Sequence, residues 1–343
     1  MEFDNRYKLI LRMLSEDSRA SITELAKGAG TSRVTVAKLL EKLSNDYNIR
    51  YTIEVDDDRL GMVQRHLVVL RFSNKPKLAE LSEALAGDAL VSNAYVCDGD
   101  FDALVQVRAS SPMDYVMWES QLPTKLGRFG ITIKPSSIMF PNYGYFPIGA
   151  KELESVVTGI SARERAMLAV LSSNSRARLS ELAEGTHTSK STANYKLFSL
   201  KKKGVIKRFT IGAAKPPYKY ILAFLVNYHF TNTTYVRSVQ MMDYYKHYDS
   251  GMPLFNTFQL LVPMSGSYRF FGMGLFRDEQ DAMEHAIGAH LRVFSQEKPE
   301  IERARVTGII KGSYPFRNLD IEANYTRFNW SKLDLAGAAR KPR

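Results

Sequence analysis

Cysteine is nearly absent from this chain, since Cys97 is the only one in 343 residues. A single cysteine excludes intrachain disulfides and cysteine-rich zinc modules, so a reducing, cytoplasmic setting is the expectation. Long apolar runs are also missing, because no stretch approaches the ~20 consecutive apolar residues that cross a bilayer. The opening residues MEFDN are acidic and precede no apolar segment, so no secretory signal is expected.

Motifs for phosphate or cofactor chemistry are missing as well. Neither GxxxxGK[ST] nor GxGxxG occurs, so no cofactor is expected. His285 and His290 are five residues apart and point to different faces of a helix, which argues against a metal site. The run Asp56-Asp57-Asp58 is interpreted as a solvated loop at a domain junction in preference to a cation site. No catalytic residue and no metal ligand is predicted, and Cys97 is expected to be buried.

What the chain does have is an uneven charge. Lysine and arginine outnumber aspartate and glutamate by 47 to 36, a net charge of +11. Residues 1–150 carry 18 basic and 19 acidic groups, whereas residues 151–343 carry 29 and 17. This bias predicts a polyanionic partner, with nucleic acid favoured over membrane because no amphipathic anchor is evident. A merely solvated basic surface is the alternative.

The sequence also repeats itself. Between Leu11 and Leu43, 15 of 33 positions are identical to the residue 157 positions further along, without a gap. One residue of slippage then aligns Tyr51-Thr52-Ile53 with Phe209-Thr210-Ile211. The chain is therefore interpreted as two tandem copies of one unit, each of roughly 150 residues.

Each copy begins with the pattern of a helix-turn-helix. In the first copy, Ser21 and Glu24 have the spacing of a capping box, and the helix that they start ends at Gly28-Ala29-Gly30. Thr31 or Ser32 then caps a helix whose apolar positions fall on one stripe. Two short helices joined by a tight glycine turn are typical of DNA-binding domains. The second copy repeats the pattern with Arg178 in place of the capping serine, which predicts a weaker helix start.

A β-rich stretch with the element order βαββαβ follows each helix-turn-helix. In the first copy the predicted strands are Leu67–Phe72, Val91–Cys97, Ala103–Ala109 and Ile131–Met139, and the helices are Lys77–Ala86 and Pro112–Gly127. In the second copy the strands are Tyr220–His229, Phe255–Pro263, Tyr268–Phe276 and Arg303–Ile310, and the helices are Thr234–Tyr248 and Asp278–Phe294. This order predicts a ferredoxin-like sandwich, one antiparallel sheet covered by two helices.

The predicted fold class is therefore α+β, with two tandem copies of a winged-helix-like helix-turn-helix followed by a ferredoxin-like domain. The predicted domains are 1–60 and 149–212 for the helix-turn-helix units, 61–148 and 213–325 for the ferredoxin-like units, and 326–343 for a basic tail. The apolar sheet faces are expected to pair with each other or with those of a second chain. A homo-oligomer, in the simplest case a dimer, is expected.

Several short motifs carry a family resemblance. They are Glu16-Asp17-Ser18-Arg19, Glu24-Leu25-Ala26, Thr31-Ser32, Tyr51-Thr52, Leu60-Gly61 and Gly99-Asp100-Phe101-Asp102. With them the chain resembles the leucine-responsive (Lrp/AsnC, feast/famine) family of prokaryotic transcription regulators. The resemblance implies a sequence-specific regulator that binds double-stranded DNA and is modulated by a small effector such as an amino acid. It places the effector at Gly99, Phe101 and Asp102, where the second copy has no acid.

Candidate DNA contacts lie on the second helix of each helix-turn-helix, which reads base edges in the major groove. The outward positions are Ser32, Arg33, Val34, Thr35 and Lys38 in the first copy and Lys190, Ser191, Thr192, Asn194 and Tyr195 in the second. Arg33 has bidentate geometry for guanine and Asn194 for adenine. Phosphate contacts are predicted for Lys201, Lys202, Lys203, Lys207 and Arg208, so the second copy is expected to supply most of the sequence-independent affinity.

Two other functions are compatible with this organisation. Sirohaem decarboxylases share the two-domain unit, but their His-Asn-Tyr-like element corresponds here to Ser92-Asn93-Ala94-Tyr95, without the histidine. A scaffold that has kept degenerate helix-turn-helix modules without binding DNA is the third interpretation. Fold alone does not separate these functions. The prediction is a regulator and not an enzyme.

Overall fold

Two helical heads and one closed sheet make up the fold in the computed structural model. The structure describes residues 5–62, 64–139, 160–215, 220–227, 258–276, 278–288 and 299–315. The predicted helix Thr234–Tyr248, His290 and the predicted tail 326–343 lie outside the described residues. No helix in the described ranges has both the length and the apolar character that crossing a bilayer requires.

The first head consists of three helices and a strand, which are α1 (Asn5–Glu16), α2 (Ile22–Gly28), α3 (Arg33–Tyr47) and β1 (Ile49–Val55). The predicted capping box is confirmed, because Ser21 Oγ accepts from the Glu24 amide at 3.2 Å and the Glu24 carboxylate accepts from the Ser21 amide at 2.7 Å. This reciprocal pair satisfies two amides that the first turn of α2 leaves unbonded. The local sequence therefore fixes where α2 begins.

The first sheet domain has the predicted order of elements. Its members are β2 (Gln64–Phe72), α4 (Leu78–Leu85), β3 (Val91–Gly99), β4 (Ala103–Ala109), α5 (Pro112–Leu126) and β5 (Ile131–Met139). The strands lie in the antiparallel order β3-β4-β2-β5, which is the ferredoxin-like arrangement. Apolar side chains of α4 and α5, including Leu81, Leu85 and Leu122, cover one face of this sheet.

The second copy has the same order. Its head contains α6 (Ala162–Ser173), α7 (Leu179–Gly185), α8 (Lys190–Lys202) and β6 (Ile206–Ala213). Its sheet contains β7 (Tyr220–Asn227), β8 (Phe258–Gly266), β9 (Phe270–Phe276) and β10 (Glu300–Lys311), again in the order second, third, first, fourth. The short strand β11 (Tyr314–Pro315) then joins β6. The α+β fold class expected from the sequence is confirmed, and the strand order of the second sheet matches that of the first.

Several element boundaries of the second sheet domain differ from the sequence prediction, including both ends of β10 and the start of β9. Strand β8 continues to Gly266, three residues past its predicted end, because the continuous apolar run around it gives no period from which an end can be read; residues 255–257 lie outside the described ranges. In the described part of the helix expected over Asp278–Phe294, an α-helical turn over Glu279–Ala282 (α9) continues as a π-helical turn over Met283–Ile287. Residues 289–298 lie outside the described ranges.

The two sheets join edge to edge and close into one ring of eight strands. Strand β10 pairs with β3 at one seam, and β5 pairs with β8 at the other. Side chains from both sheets fill the interior, among them Leu67, Tyr95, Phe101, Phe271 and Met273. Each large apolar side chain removed from water contributes about 1.5–3 kcal/mol. The apolar sheet faces are thus covered within a single chain.

Each head contributes one strand to a sheet that the two heads share, an arrangement called here the strand exchange. Strand β1 pairs antiparallel with β6, with Thr52 opposite Thr210, although no strand is predicted from the sequence at either place. Ile53 and Val55 of β1 belong to the core of the second head, whereas Ile211 and Ala213 of β6 belong to the core of the first. Neither head therefore has a complete core without the other.

Candidate nucleic-acid interface

The heads meet through residues that correspond to each other in the repeat. Ser18 and Ser175 are 157 positions apart, are both buried, and share a hydrogen bond of 2.6 Å between their hydroxyl oxygens. The Ser18 amide donates to the carbonyl of Phe209 and the Ser175 amide to that of Tyr51, both at 3.0 Å. Each contact has its mirror in the other head, so a local two-fold axis relates the heads.

Two arginines extend this reciprocity. The Arg19 guanidinium donates to the carbonyls of Ser175 (2.8 Å) and Ala177 (3.2 Å). The Arg176 guanidinium donates to those of Ser18 (2.5 Å) and Ala20 (3.0 Å). Burial lowers the pKa of Arg19, while nearby Asp17 acts in the opposite direction. These charge-assisted bonds fix the relative orientation of the heads.

The same guanidinium groups stack on aromatic rings of the paired strands. Arg19 lies over the ring of Phe209 at 5.2 Å, and Arg176 lies over the ring of Tyr51 at 4.4 Å. Tyr51 lies on β1 and Phe209 on β6, the two strands that pair across the interface between the heads. The strand exchange and the arginine contacts thus support one another, since loss of either removes the partner of the second.

The outer faces of α3 and α8, the recognition helices, are open to solvent. On α3, Arg33, Val34 and Lys38 are exposed, with Val34 at 65%. On α8, the exposed predicted contacts are Lys190, Ser191, Asn194 and Tyr195, and the Tyr195 side chain is 72% exposed. The inner faces carry the core residues, such as Val36 and Leu200. Neither recognition helix is occluded by the ring.

The remaining predicted base contacts lie at the helix starts. Ser32 Oγ accepts from the Thr35 amide at 3.1 Å, and Ser189 Oγ accepts from the Thr192 amide at 3.2 Å. The hydroxyl of Ser191 also lies 2.9 Å from that of Ser189. Ser32, Thr35 and Thr192 therefore hold the first turns of the recognition helices, whose positive ends attract phosphate.

Sequence reasoning missed one exposed side chain on this surface. Phe198 is 63% exposed, and it lies four residues after Asn194 and three after Tyr195. This spacing places the three side chains on one face of α8. The signal was available, because Phe198 falls outside the stripe formed by Leu197 and Leu200, but a phenylalanine in an amphipathic helix is readily interpreted as core.

The predicted phosphate contacts differ in their surroundings. Lys201 and Lys202 are exposed in the last turn of α8, and Lys203 and Lys207 are exposed just after it. Lys201 Nζ lies 5.3 Å from the centre of the Phe209 ring, and Lys203 Nζ lies 3.4 Å from a carboxylate oxygen of Glu164. These contacts hold two of the lysines near the head surface.

Arg208 is placed differently from the lysines. Its Nε donates to the Glu54 carboxylate at 2.5 Å across the β1–β6 pair, and both side chains are largely buried. The neighbouring carboxylate matches the charge of Arg208, so less of that charge is available to a phosphate. A phosphate contact at Arg208 stays a prediction.

The predicted effector position Gly99 lies at a seam of the ring. Its φ of +150° favours glycine, and a Cβ there would lie 2.5 Å from the Arg303 carbonyl and 2.8 Å from Cα of Ala304. Gly266 has the same role at the other seam, where a Cβ would lie 2.9 Å from the Ser136 carbonyl. Both glycines let two strands from different sheets approach each other closely.

The other two predicted effector residues have partners within the chain. Phe101 is fully buried in the ring interior. One carboxylate oxygen of Asp102 accepts from the Phe72 amide at 2.8 Å, and the other lies 3.1 Å from Lys75 Nζ. These contacts account for both oxygens of Asp102. The effector role of Gly99, Phe101 and Asp102 stays a prediction.

The interpretation of the acidic run as a solvated loop is wrong for Asp57. Asp57 is 3% exposed and forms ion pairs with Arg65 and, at 3.5 Å, with Arg108, which are both buried. Burial favours the neutral acid, but the charges of Arg108 and Arg65 prevail and hold the pKa of Asp57 below its ordinary value. Three carboxylates in sequence gave no sign that the middle one turns inward to two arginines that lie later in the chain.

Other chemistry expected from the sequence can also be located. Cys97 is buried as predicted, and burial raises the pKa of its thiol. Tyr95, also buried, donates its hydroxyl to the Ser313 carbonyl at 3.1 Å, and the Asn93 amide donates to Gln106 at 3.0 Å. Among the described side chains no group of three or more His, Cys, Asp or Glu is arranged to hold a metal ion.

Comparison with known proteins identifies the family. A model described as winged helix-turn-helix DNA-binding matches residues 160–207, which include all of α6, α7 and α8. The transcriptional regulator LrpA of Pyrococcus abyssi is 32% identical over 113 residues, which are 32% of this chain and 79% of that protein. LrpA of Pyrococcus horikoshii is 34% identical over 99 residues, or 28% and 69%. The chain belongs to the Lrp/AsnC family.

Each of these two matches to LrpA covers about a third of this chain. A solved structure, in contrast, resembles nearly the whole chain. The sirohaem decarboxylase NirDL has a TM-score of 0.52 over 92% of this chain and 94% of its own, at 16% identity. At that identity the likeness shows the fold alone. It shows that a chain of this length with this overall arrangement has been observed in another protein.

Proposed function

We propose that this chain is a sequence-specific transcription regulator that binds duplex DNA through both heads. The observation that carries the proposal is the pair of capped recognition helices, with open outer faces, held in a two-fold relation by reciprocal contacts. A two-fold axis also relates the two strands of B-DNA, so paired recognition helices suit paired half-sites. The Lrp/AsnC membership and the matched winged helix-turn-helix support the same function.

The surface chemistry of the recognition helices supports a role in reading bases. Arg33 and Asn194 are exposed near the starts of their helices, and their side chains present two hydrogen-bonding groups each. Val34, Tyr195 and Phe198 add exposed apolar surface, which suits contact with thymine methyl groups and sugars. Tyr195 and Phe198 lie on one exposed face of α8, where an amphipathic helix ordinarily carries polar side chains.

We propose a regulator in preference to an enzyme, although the fold is shared with a decarboxylase. The strand element that distinguishes the enzymes contains Asn93 and Tyr95 here, and both side chains are hydrogen-bonded within the buried ring. Burial also raises the pKa of Tyr95, which keeps its hydroxyl protonated and unsuited to act as a base. These contacts favour a structural role for this element.

The proposal is tested by mobility shift of the full chain against genomic fragments, at low and at physiological salt. Retention of a subset of fragments in the presence of excess nonspecific duplex is the expected result. Absorbance of the purified protein and of protein mixed with sirohaem is recorded in parallel. A tetrapyrrole band with no retained duplex would favour the enzyme, and neither signal would favour a scaffold; both outcomes would overturn the proposal.

A variant with a neutral reading face provides the control for specificity. Arg33→Ala combined with Asn194→Ala alters two exposed side chains, so the fold should persist, and thermal unfolding checks this. We expect fragment selection to be lost while weak nonspecific binding through the lysines persists. Arg128→Ala removes a 63% exposed cation that belongs to the sheet domain and to neither recognition helix, and it should leave selection unchanged.

A further inference from the structure

The reading faces of the two heads differ although their framework is alike. At corresponding exposed positions, α3 has Arg33, Val34, Ala37, Lys38 and Glu41 where α8 has Lys190, Ser191, Asn194, Tyr195 and Phe198. A cation thus corresponds to a tyrosine and an acid to a phenylalanine. Because base discrimination depends on the donors, acceptors and apolar groups presented, these two faces suit different bases.

The contacts between the heads show no such divergence. Ser18, Arg19 and Ala20 correspond to Ser175, Arg176 and Ala177 and make reciprocal bonds across the local axis. The exchanged strands further require both heads in one assembly, since each completes the core of the other. One chain therefore contains a closed pair of heads, and a second chain is not needed to complete it.

The phosphate-facing charge is equally one-sided. Lys201-Lys202-Lys203 lie at the C-terminal end of the recognition helix in the second head, where the corresponding residues of the first are Ser44-Asn45-Asp46. Each lysine that neutralises a phosphate releases counterions and adds affinity without reading sequence. The second head thus supplies most of the sequence-independent affinity for phosphates, and the first contributes mainly its reading face.

We infer that one chain reads an asymmetric duplex, in which each head faces a different half-site and the protein binds in one direction only. This inference rests on the proposed function and adds the class of DNA that the site takes. A homodimer with one head from each chain would present identical faces and favour a palindrome. Two different faces on one rigid pair favour a site whose halves differ and lie about 10 base pairs apart.

Selection of bound duplexes from a random pool, with the full chain, tests this directly. We expect a motif with two unlike halves, and native mass spectrometry of protein with the selected duplex should give one chain per site. Arg33→Ala should relax base preference in one half only and Asn194→Ala in the other, each by roughly tenfold or more. A palindromic motif, two chains per site, or relaxation of both halves by Arg33→Ala would overturn the inference.

Failure of the proposed function has a different appearance, because no duplex would then be enriched at any salt concentration. A second variant tests the inference by a change in the selected DNA motif instead of a loss of binding. Exchanging the first reading face for the second, with Arg33→Lys, Val34→Ser, Ala37→Asn, Lys38→Tyr and Glu41→Phe, should convert the selected motif into a palindrome of the second half-site.

The five exchanged positions are all exposed, so thermal unfolding of the exchanged variant should match that of the original chain. The reverse exchange on α8 is the matched control and should produce a palindrome of the other half-site. If the exchanged variant still selects the original asymmetric motif, the reading faces do not determine the site and the inference fails.

Discussion

The two sheet domains have the same strand order but fill one end of the ring with different chemistry. In the first, Arg65 on β2 is opposite Arg108 on β4; in the second, Ile221 on β7 is opposite Leu275 on β9. Arg65 corresponds to Ile221 because each lies two residues before a residue that pairs with a seam strand. Leu67 pairs with Ser137 of β5, and Ala223 pairs with Ala304 of β10. The same place in the fold holds two buried cations or two apolar side chains.

The difference shows that the geometry of the ring does not determine whether the side chains in its interior are charged or apolar. Apolar side chains satisfy the position without a partner, as the second sheet shows. Two buried guanidinium groups require compensation, and in the first sheet Asp57 supplies it from the junction with the head. The first head is therefore tied to its sheet by charge.

The largest expected effect comes from removing that compensation. Asp57→Asn leaves Arg65 and Arg108 buried without the carboxylate, and we expect a loss of about 3–5 kcal/mol in the free energy of unfolding. Urea denaturation monitored by circular dichroism measures this. The control is Asp58→Asn, an exposed neighbour, which should change stability by less than about 0.5 kcal/mol. Equal effects of the two variants would contradict the role of Asp57.

Making the first sheet like the second sharpens the comparison further. In the background of Asp57→Ala, the changes Arg65→Ile and Arg108→Leu introduce the apolar pair of the second sheet. Because well-packed apolar residues often match or exceed a buried ion cluster in stability, we expect the triple variant to recover most of the loss. A triple variant as unstable as Asp57→Asn would show that the two ends of the ring are not interchangeable.

A second contrast is the response to pH. His66 in the first sheet corresponds to Leu222 in the second, and its ring is stacked on Tyr115 with centroids 3.7 Å apart. Burial lowers the pKa of His66 from its ordinary 6.5 to about 4. The unfolded chain therefore binds the proton first, so stability is full above about pH 6.5 and falls as pH decreases toward 4.

We expect this fall to be on the order of 2 kcal/mol, given ~1.4 kcal/mol per pKa unit and incomplete burial. Urea titrations at pH 7 and pH 4.5 give the difference for the original chain. His66→Phe keeps a flat ring beside Tyr115 but does not titrate, so its stability should vary less between the two pH values. An unchanged pH dependence in the variant would assign the effect to other groups.

The symmetry of the head interface predicts a smaller, non-additive effect. Ser18→Ala alone leaves the buried hydroxyl of Ser175 without its partner and should cost about 1–2 kcal/mol, and Ser175→Ala should cost the same. The double variant removes both hydroxyls and should be less destabilised than the sum of the two. Unequal single effects, or strict additivity in the cycle, would break the two-fold relation.

The smallest effect concerns the charge difference between the heads. Lys202→Gln should lower the slope of log affinity against log salt by about 0.9, the value for one phosphate contact. Fluorescence anisotropy with one duplex over a range of salt concentrations measures the slope. Asp46→Asn, which changes charge at the end of the first recognition helix, is the control and should leave the slope nearly unchanged. Identical slopes for the original chain and Lys202→Gln would remove Lys202 from the phosphate surface.

Much of the local structure was predictable because its causes are local. The capping box at Ser21 and Glu24, the turn between α2 and α3 and the βαββαβ order all follow from neighbouring residues or from periodicity. The exposed face of α8 was predicted for Asn194 and Tyr195 by helical spacing alone. Phe198 was missed because hydrophobicity usually indicates burial, and only a packed neighbour shows which way a side chain points.

The interfaces between copies were not predictable in the same way. The pairing of β1 with β6 and the closure of the ring depend on segments more than 150 residues apart, for which a single sequence gives no register. Gly99 illustrates the consequence, because no local pattern shows that this glycine lies against Ala304 of a strand about 200 residues further along the chain. The ion pairs of Asp57 with Arg65 and Arg108 are likewise not indicated by any local pattern in the sequence.

By itself, the sequence determined that this chain carries two like units, where their helices start, and which helix faces are polar, since these depend on contacts within a few residues. Only the tertiary structure decided that the heads complete each other's cores, that both sheets close within one chain, and which charges are buried. Those outcomes depend on the meeting of distant surfaces, whose free energy is set by area and complementarity and leaves no periodic trace in the chain.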